Sequence, residues 1–218
     1  MEDRMEENNL GDHSCQESTP INPMLVHITK TNPITPLCIY IPIVIALSWV
    51  GLMHFTVKHF LMGFGLGLFL WTFIEYAMHR FFYHFEPSKE NKFMYIFLML
   101  THGLHHEKPQ DKTRLVSITL VSLSYTLGIA LIYFVLFRQY FIAVMAGTLL
   151  GYIIYDLVHY EVHVANRKNR LFQYLKRYHF SHHYINNAKG FGVTSPFWDY
   201  VFGTRASFIT GKQKLSPK

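Results

Sequence analysis

Ten of the fourteen histidines in this 218-residue chain fall into four short groups. "HRFFYH" carries His79 and His84, "HGLHH" carries His102, His105 and His106, "HYEVH" carries His159 and His163, and "HFSHH" carries His179, His182 and His183. Residues at i, i+3 and i+4 share one face of a helix, so each HxxHH is expected to present three imidazoles to one point. His159 and His163, one turn apart, form a second kind of pincer. His79 and His84 share no face of an ideal helix. The helix is expected to end between them, with His84 reaching in from the loop before Pro87.

So many neighbouring imidazoles would repel one another once protonated, and burying them without partners would be costly. Metal ions remove both problems. Imidazole suits zinc, iron, copper and nickel. Ten ligands exceed the three or four of a single zinc site, which implies two metal ions with crowded coordination. Soluble di-iron bundles rely on glutamates and Glu-x-x-His motifs, and this sequence has no such motif. The centre is therefore expected to be mostly or wholly nitrogen-ligated. Nearby carboxylates are expected to accept the far N–H of a ligand imidazole. Glu75 and Asp156 lie four and three residues before His79 and His159. Asp111 and Asp199 are further candidates, although a salt bridge to Arg114 or a turn would also explain them.

Four stretches, 37–53, 59–74, 115–137 and 139–155, contain no charged residue. A bilayer core about 30 Å thick needs roughly 20 apolar residues in a helix. The stretches lack amphipathic alternation, so four helices of a soluble bundle are the less favoured reading. The expected fold is all-α and integral to a membrane. Four spans, at about 37–54, 59–78, 115–137 and 139–158, form two hairpins. Residues 79–114 and 159–204 form a helical cap that holds the histidines, and the unit as a whole covers 36–204. Residues 1–35 read as a flexible arm, interrupted by Pro20, Pro23 and Pro33, and 205–218 as a basic tail. The apolar run 93–101 is too short to cross and is expected in the interface or under the histidines.

Positive charge sets the orientation. Arg80, Lys89, Lys92, Lys108, Lys112 and Arg114 lie between the second and third spans, and Arg167, Lys168, Arg170, Lys176 and Arg177 follow the fourth. The two short turns hold only Lys58 and Arg138. The positive-inside rule then puts both termini and the metal centre in the cytosol, with His54 and His59 on the far side. The net charge of +6 suits anionic headgroups, and the lysines show no nucleic-acid-binding fold. Cys15 and Cys38 suggest neither a disulfide framework nor a zinc ribbon.

The ten-histidine pattern on two hairpins resembles the fatty acid hydroxylase and sterol desaturase superfamily of membrane di-metal oxygenases. "EYAMHRFFYH", "HGLHHEKPQDKTRLV" and "KRYHFSHHYINNAKGFGVTSPFWDYVFGT" resemble its fatty acid 2-hydroxylase branch, with a match from about Thr35 to Thr204. The resemblance implies that all ten grouped histidines are metal ligands. It also implies hydroxylation at carbon 2 of a long acyl chain with O2 and two electrons. The substrate would be a free fatty acid, an acyl-CoA or a sphingolipid acyl chain. Two iron ions are expected, because zinc fits the same nitrogens but has no redox chemistry. One departure follows "DKTRLV", where "SITL" replaces the usual aromatic residue and prolines.

The arm before Thr35 lacks the His-Pro-Gly-Gly motif of the haem domain often fused to fungal and animal members. No fused haem domain is expected, and electrons would come from a separate carrier of cytochrome-b or ferredoxin type. That absence tilts the expected location toward a bacterial inner membrane rather than the endoplasmic reticulum. In "GFGVTSPFWDYVFGT", Phe191, Phe197, Trp198, Tyr200 and Phe202 either wall an acyl pocket or form an aromatic belt at the interface. Tyr76, Tyr155 and Tyr160 are expected to pack rather than to act in redox. Two other functions fit less well: a sterol or acyl desaturase on the same scaffold, and a metal-binding or transport protein, which would place ligands inside the spans.

Overall fold

The computed structural model describes residues 21–88 and 90–208, and every regular element among them is helical. In order these are α1 (Pro23–Ile28), α2 (Ile34–His54), α3 (Val57–Ala77), α4 (Lys92–Leu98), α5 (Leu104–Glu107), α6 (Thr119–Phe137), α7 (Phe141–Val164), α8 (Arg170–Tyr184) and α9 (Phe197–Val201). Two π-helical turns, Met78–Tyr83 and Met99–Gly103, join α3 to the loop beyond it and α4 to α5. Three stretches are long and apolar enough to cross a membrane: Ile34–His54, Val57–Tyr83 and Lys112–Val164. The third contains two helices, α6 and α7, which fold back on each other around Arg138.

The apolar surface explains this arrangement. On α2 and α6, Ile45, Trp49, Met53, Leu127, Leu131 and Phe134 all point outward. A helix apolar on every side is stable only inside a protein or in hydrocarbon. By contrast, α8 is amphipathic. It turns Phe172, Leu175, His179 and His182 inward and leaves Arg170 and Arg177 exposed.

The centre of the bundle is α7, packed against α2, α3 and α6. Its contact with α3 is backbone against backbone. A Cβ on Gly147 would lie 1.9 Å from the Phe64 carbonyl, and one on Gly67 would lie 2.0 Å from that of Val144. Gly63 faces Ala143, and Gly151 faces the Trp71 side chain. Small residues four apart on both helices permit this approach, as at close helix crossings in membranes. The Thr148 hydroxyl then donates to the Gly67 carbonyl at 3.1 Å. Between α2 and α6, the Tyr40 hydroxyl meets Ser122 Oγ at 3.0 Å.

Phe55 and Tyr140 stack with ring centroids 5.6 Å apart. The α2–α3 turn and the α6–α7 turn therefore share one end of the bundle. The grouped histidines lie at the other end, where α3 and α7 finish.

Several boundaries differ from the sequence-based expectation. The third long helix begins at Thr119 rather than near 115, because Lys112–Arg114 forms a 3-10 turn capped by Asp111, and Leu115 and Val116 are buried. The fourth runs to Val164 and carries His159 and His163 on continuous helix. Residues 22–31, expected in a flexible arm, are tied to the fold. Arg114 donates to the Val26 carbonyl at 2.6 Å and to Thr29 Oγ1 at 2.9 Å, and Thr31 N–H donates to the Thr113 carbonyl. Residues 1–20 and 209–218, with the remainder of the expected arm and most of the basic tail, lie outside the described residues.

Arg114→Ala removes both of these charged hydrogen bonds and is expected to cost about 2 kcal/mol. Limited proteolysis should then cut between residues 22 and 31. Protection equal to the parent's would show that the bonds do not hold this segment.

Candidate metal centre

The ten grouped histidines form two sets of five. One contains His79, His84, His102, His106 and His182, and the other His105, His159, His163, His179 and His183. Within each set, one nitrogen from every ring lies within 4.8 Å of the others. In the first set, Nε2 of His106 is 2.9 Å from that of His102 and 3.3 Å from that of His182. In the second, His105 Nε2 lies 3.1 Å from His159 and from His183, and His179 Nε2 lies 2.8 Å from His163 and 3.0 Å from His183.

These separations suit a cation. With a ligand bond of about 2.1 Å, two nitrogens at right angles sit about 3.0 Å apart, against about 3.4 Å in a tetrahedron. All but one of the observed distances lie near the first figure. The Nε2 atoms of His79 and His84 are also buried without a hydrogen-bond partner, a costly state that a bound metal would relieve.

Each HxxHH divides between the two sets, contrary to the expected single point. His102 and His106 serve the first and His105 the second, whereas His179 and His183 serve the second and His182 the first. Helical geometry accounts for this. At 3.6 residues per turn, i and i+4 diverge by about 40°, but i+3 and i+4 diverge by about 100°. With two metal positions side by side, the i, i+4 pair closes on one and i+3 turns to its neighbour. The helical stretch that carries His79 ends at Tyr83 with His84 as its C-cap, so the expected end between the two falls there, in an unexpected form. The backbone there widens to a π-helical turn, and the His84 N–H donates to the His79 carbonyl five residues back at 3.2 Å. That widening brings residues five apart together, a feature often found at functional sites.

Burial favours neutral rings. It holds His102, His105, His179, His182 and His183 well below the usual imidazole range, helped by neighbouring histidines. It pushes His84 down to about 4, and His106, with its histidine neighbours, to about 2. Neutral rings keep a nitrogen lone pair available to a metal.

Backbone carbonyls, rather than the expected carboxylates, accept the far N–H groups. His79 Nδ1 donates to Phe191 at 2.6 Å, His159 Nδ1 to Leu115 at 2.7 Å and His182 Nδ1 to Lys189 at 2.8 Å. Each such bond selects the tautomer with Nε2 free. Glu75 is instead bonded to Val193 and Thr194, and Asp199 to Phe191, Gly192 and Thr204. Asp111 accepts from Thr113 and pairs with Arg114 at 3.3 Å, which makes it a turn residue. Asp156 is buried beside Tyr152 and Ser117 without a well-aligned bond to either. It borders a cavity of about 20 Å³ that Tyr83, His102, His105, Tyr155 and His159 also line. The cavity touches both histidine sets.

Of the five aromatic residues considered for an acyl pocket, Phe191 alone packs on the histidines. Its ring lies 5.7, 5.5 and 5.6 Å from those of His79, His84 and His182. Trp198 lies against Phe69 and Phe73 on α3 and donates to Thr72 Oγ1 at 2.9 Å. Phe197, Tyr200 and Phe202 are about half exposed. Tyr83 and Tyr155 stack on His102 and His159. Nothing in the sequence signalled Tyr83 or the three carbonyls, because every residue carries a carbonyl and tyrosines are abundant.

The family model for fatty acid hydroxylases matches residues 64–204, a segment that contains all ten histidines. The chain belongs to the fatty acid hydroxylase family. A relative in that family, the ceramide very long chain fatty acid hydroxylase scs7 of Schizosaccharomyces pombe, is 38% identical over 155 residues, which are 70% of this chain and 45% of the relative. The fatty acid 2-hydroxylase of Homo sapiens is 37% identical over 148 residues, 65% of this chain and 38% of that one. The dihydroceramide fatty acyl 2-hydroxylase FAH2 of Arabidopsis thaliana is 38% identical over 146 residues, 63% of this chain and 58% of the relative. The matched segment thus spans about half the length of these curated relatives. A solved structure titled "Full length scs7p (only hydroxylase domain visible)" is 36% identical, with a TM-score of 0.78, covering 83% of this chain and 69% of that one. These named fatty acid hydroxylases come from a yeast, a mammal and a plant, which lends no support to the bacterial location.

Proposed function

We propose that the protein is a membrane-embedded monooxygenase that hydroxylates carbon 2 of a long acyl chain, carried as a fatty acid or a ceramide. The observation that carries this reading is the pair of five-histidine sets meeting at one small cavity, at the end of a bundle of apolar helices. Relatives with 2-hydroxylase names support the choice of reaction.

In this reading, residues 36–204 form the working unit. The four long helices each cross the bilayer, as the hairpins α2–α3 and α6–α7. The histidine end faces the cytosol, since Arg80, Lys92, Lys108, Arg114 and Arg167 flank it, while only Lys58 and Arg138 lie at the other. The ten histidines hold two metal ions, of which iron is the redox-competent choice, and a separate carrier supplies electrons. When bound, the metal pair supplies the redox chemistry that an unactivated C–H bond requires. One oxygen atom of O2 enters the C–H bond, and the other leaves as water with two electrons and two protons.

The chain's own residues supply position. His79, His159 and His182 are locked in one tautomer by their carbonyl partners. Phe191 closes an apolar wall over the first histidine set. Asp156 is the single carboxylate on the wall of the cavity that both histidine sets reach. The acyl tail stays in hydrocarbon, so that carbon 2 alone reaches the histidines.

Lipid mass spectrometry of cells with and without the expressed chain tests this reading. The expected result is a gain of one oxygen at carbon 2 of long acyl chains. Loss of two hydrogens would make the protein a desaturase, and an unchanged lipid profile in metal-loaded cells would remove the hydroxylase reading.

A further inference from the structure

Four consecutive backbone amides, those of residues 191–194, all donate to just two carboxylates. Phe191 N–H donates to Asp199 Oδ1 at 3.0 Å and Gly192 N–H to Asp199 Oδ2 at 2.8 Å. Val193 and Thr194 N–H both donate to Glu75 Oε1, at 2.6 and 2.8 Å, and the Thr194 hydroxyl meets Glu75 Oε2 at 2.5 Å. Both carboxylates are buried; Asp199 is 0% exposed and Glu75 4%. A buried carboxylate requires such donors, and here the donors all belong to one strap of backbone. Gly192 is required by its path, because a Cβ there would lie 2.1 Å from the Ser195 carbonyl.

The strap touches one histidine set. Its carbonyls at Lys189 and Phe191 hold Nδ1 of His182 and His79, and the Phe191 ring packs on His79, His84 and His182. All three belong to the first set. In the second set, His159 leans on Leu115, which belongs to another segment.

We propose that Glu75 and Asp199 are positioning residues for one metal position only, acting through the strap 189–194 on His79 and His182. The proposal rests on the two-metal reading above and deepens it. The two positions are thereby built differently. The first leans on a strap more than a hundred residues distant in sequence from α3 and gripped by two acids outside both histidine sets, and the second on the Leu115 carbonyl of a different segment.

The test uses the full chain in detergent, stripped by chelator and titrated with Co²⁺, with visible absorption and metal content as readouts. The parent is expected to bind two ions. His159→Ala leaves the first set intact. In that background Glu75→Ala and Gly192→Ala are each expected to weaken the remaining site about tenfold or more. Glu75→Gln keeps the acceptor for both amides and is expected to restore most of the affinity. Asp199→Asn turns one amide toward the Gly192 N–H and should fall between them. In a His84→Ala background, which leaves the second set, none of the four changes should matter. Circular dichroism checks that each variant is helical, and Gly192→Ala tests the strap if a carboxylate variant does not fold. Equal weakening in both backgrounds, or no weakening in the first, overturns the proposal. A parent that binds fewer than two ions overturns the two-metal reading as well. A parent that binds two ions but forms no hydroxylated lipid removes the activity and leaves the strap's role standing.

Discussion

His105→Ala is expected to lower 2-hydroxy lipid formation about 100-fold or more, and to reduce bound metal from two ions toward one per chain. His105 is the one residue of its HxxHH that turns to the second histidine set. Its Nε2 lies 3.1 Å from both His159 and His183, and its ring packs 4.7 Å from His163. Removing it opens one corner of that set and leaves the other five rings in place, so the loss should be selective rather than global. His54→Ala is the matching control. That ring is exposed at the opposite end of the bundle, bonded to the Val50 carbonyl, and its loss should leave both readouts unchanged. Full metal content together with full product in the His105 variant would show that the second set is not the working centre.

Gly147→Leu is expected to yield no folded protein, and Gly147→Ala to cost about 1–3 kcal/mol as overpacking. The Phe64 carbonyl occupies the space a Cβ would need, at 1.9 Å. Backbone cannot turn aside as a flexible side chain can, so α3 and α7 would have to part. Those two helices deliver His79, His159 and His163, and a shift of 1 Å between them would degrade metal affinity along with stability. Gly65→Ala provides the comparison, since a Cβ at that point of α3 meets nothing within 4 Å. Thermal unfolding in detergent should place the Gly147→Ala midpoint well below that of Gly65→Ala. Equal midpoints would mean that the close approach is not what holds the bundle.

The small-residue spacing behind this second prediction is present in the sequence. Gly63 and Gly67 on one helix, and Ala143, Gly147 and Gly151 on the other, recur every fourth residue. Hydropathy does not register it, because glycine and alanine read simply as part of an apolar run. The pattern reports helix–helix contact rather than membrane crossing. The carboxylates show a different limit. Glu75 stands one turn before His79 in the sequence, whereas Asp199 lies sixteen residues beyond His183 and a turn would also explain it; the partners of neither were legible. A backbone N–H donor has no side-chain signature, so the strap at 191–194 left no mark in the residue types. Asp111 showed the reverse, because the local pairing with Arg114 that explained it was visible within three residues.

By itself, the sequence determined that the protein is helical, that its long helices are apolar on all sides, and that ten histidines belong together. These properties follow from composition and spacing along single helices, which short-range geometry controls. Only the tertiary structure decided how the ten are shared. The division of each HxxHH between two sets of five depends on where neighbouring helices stand, which no local period encodes. The π-helical turn that keeps His84 beside His79 departs from the period of an isolated α-helix. The carbonyls that orient His159 and His79 come from chain segments 44 and 112 residues away, and packing alone brings them there.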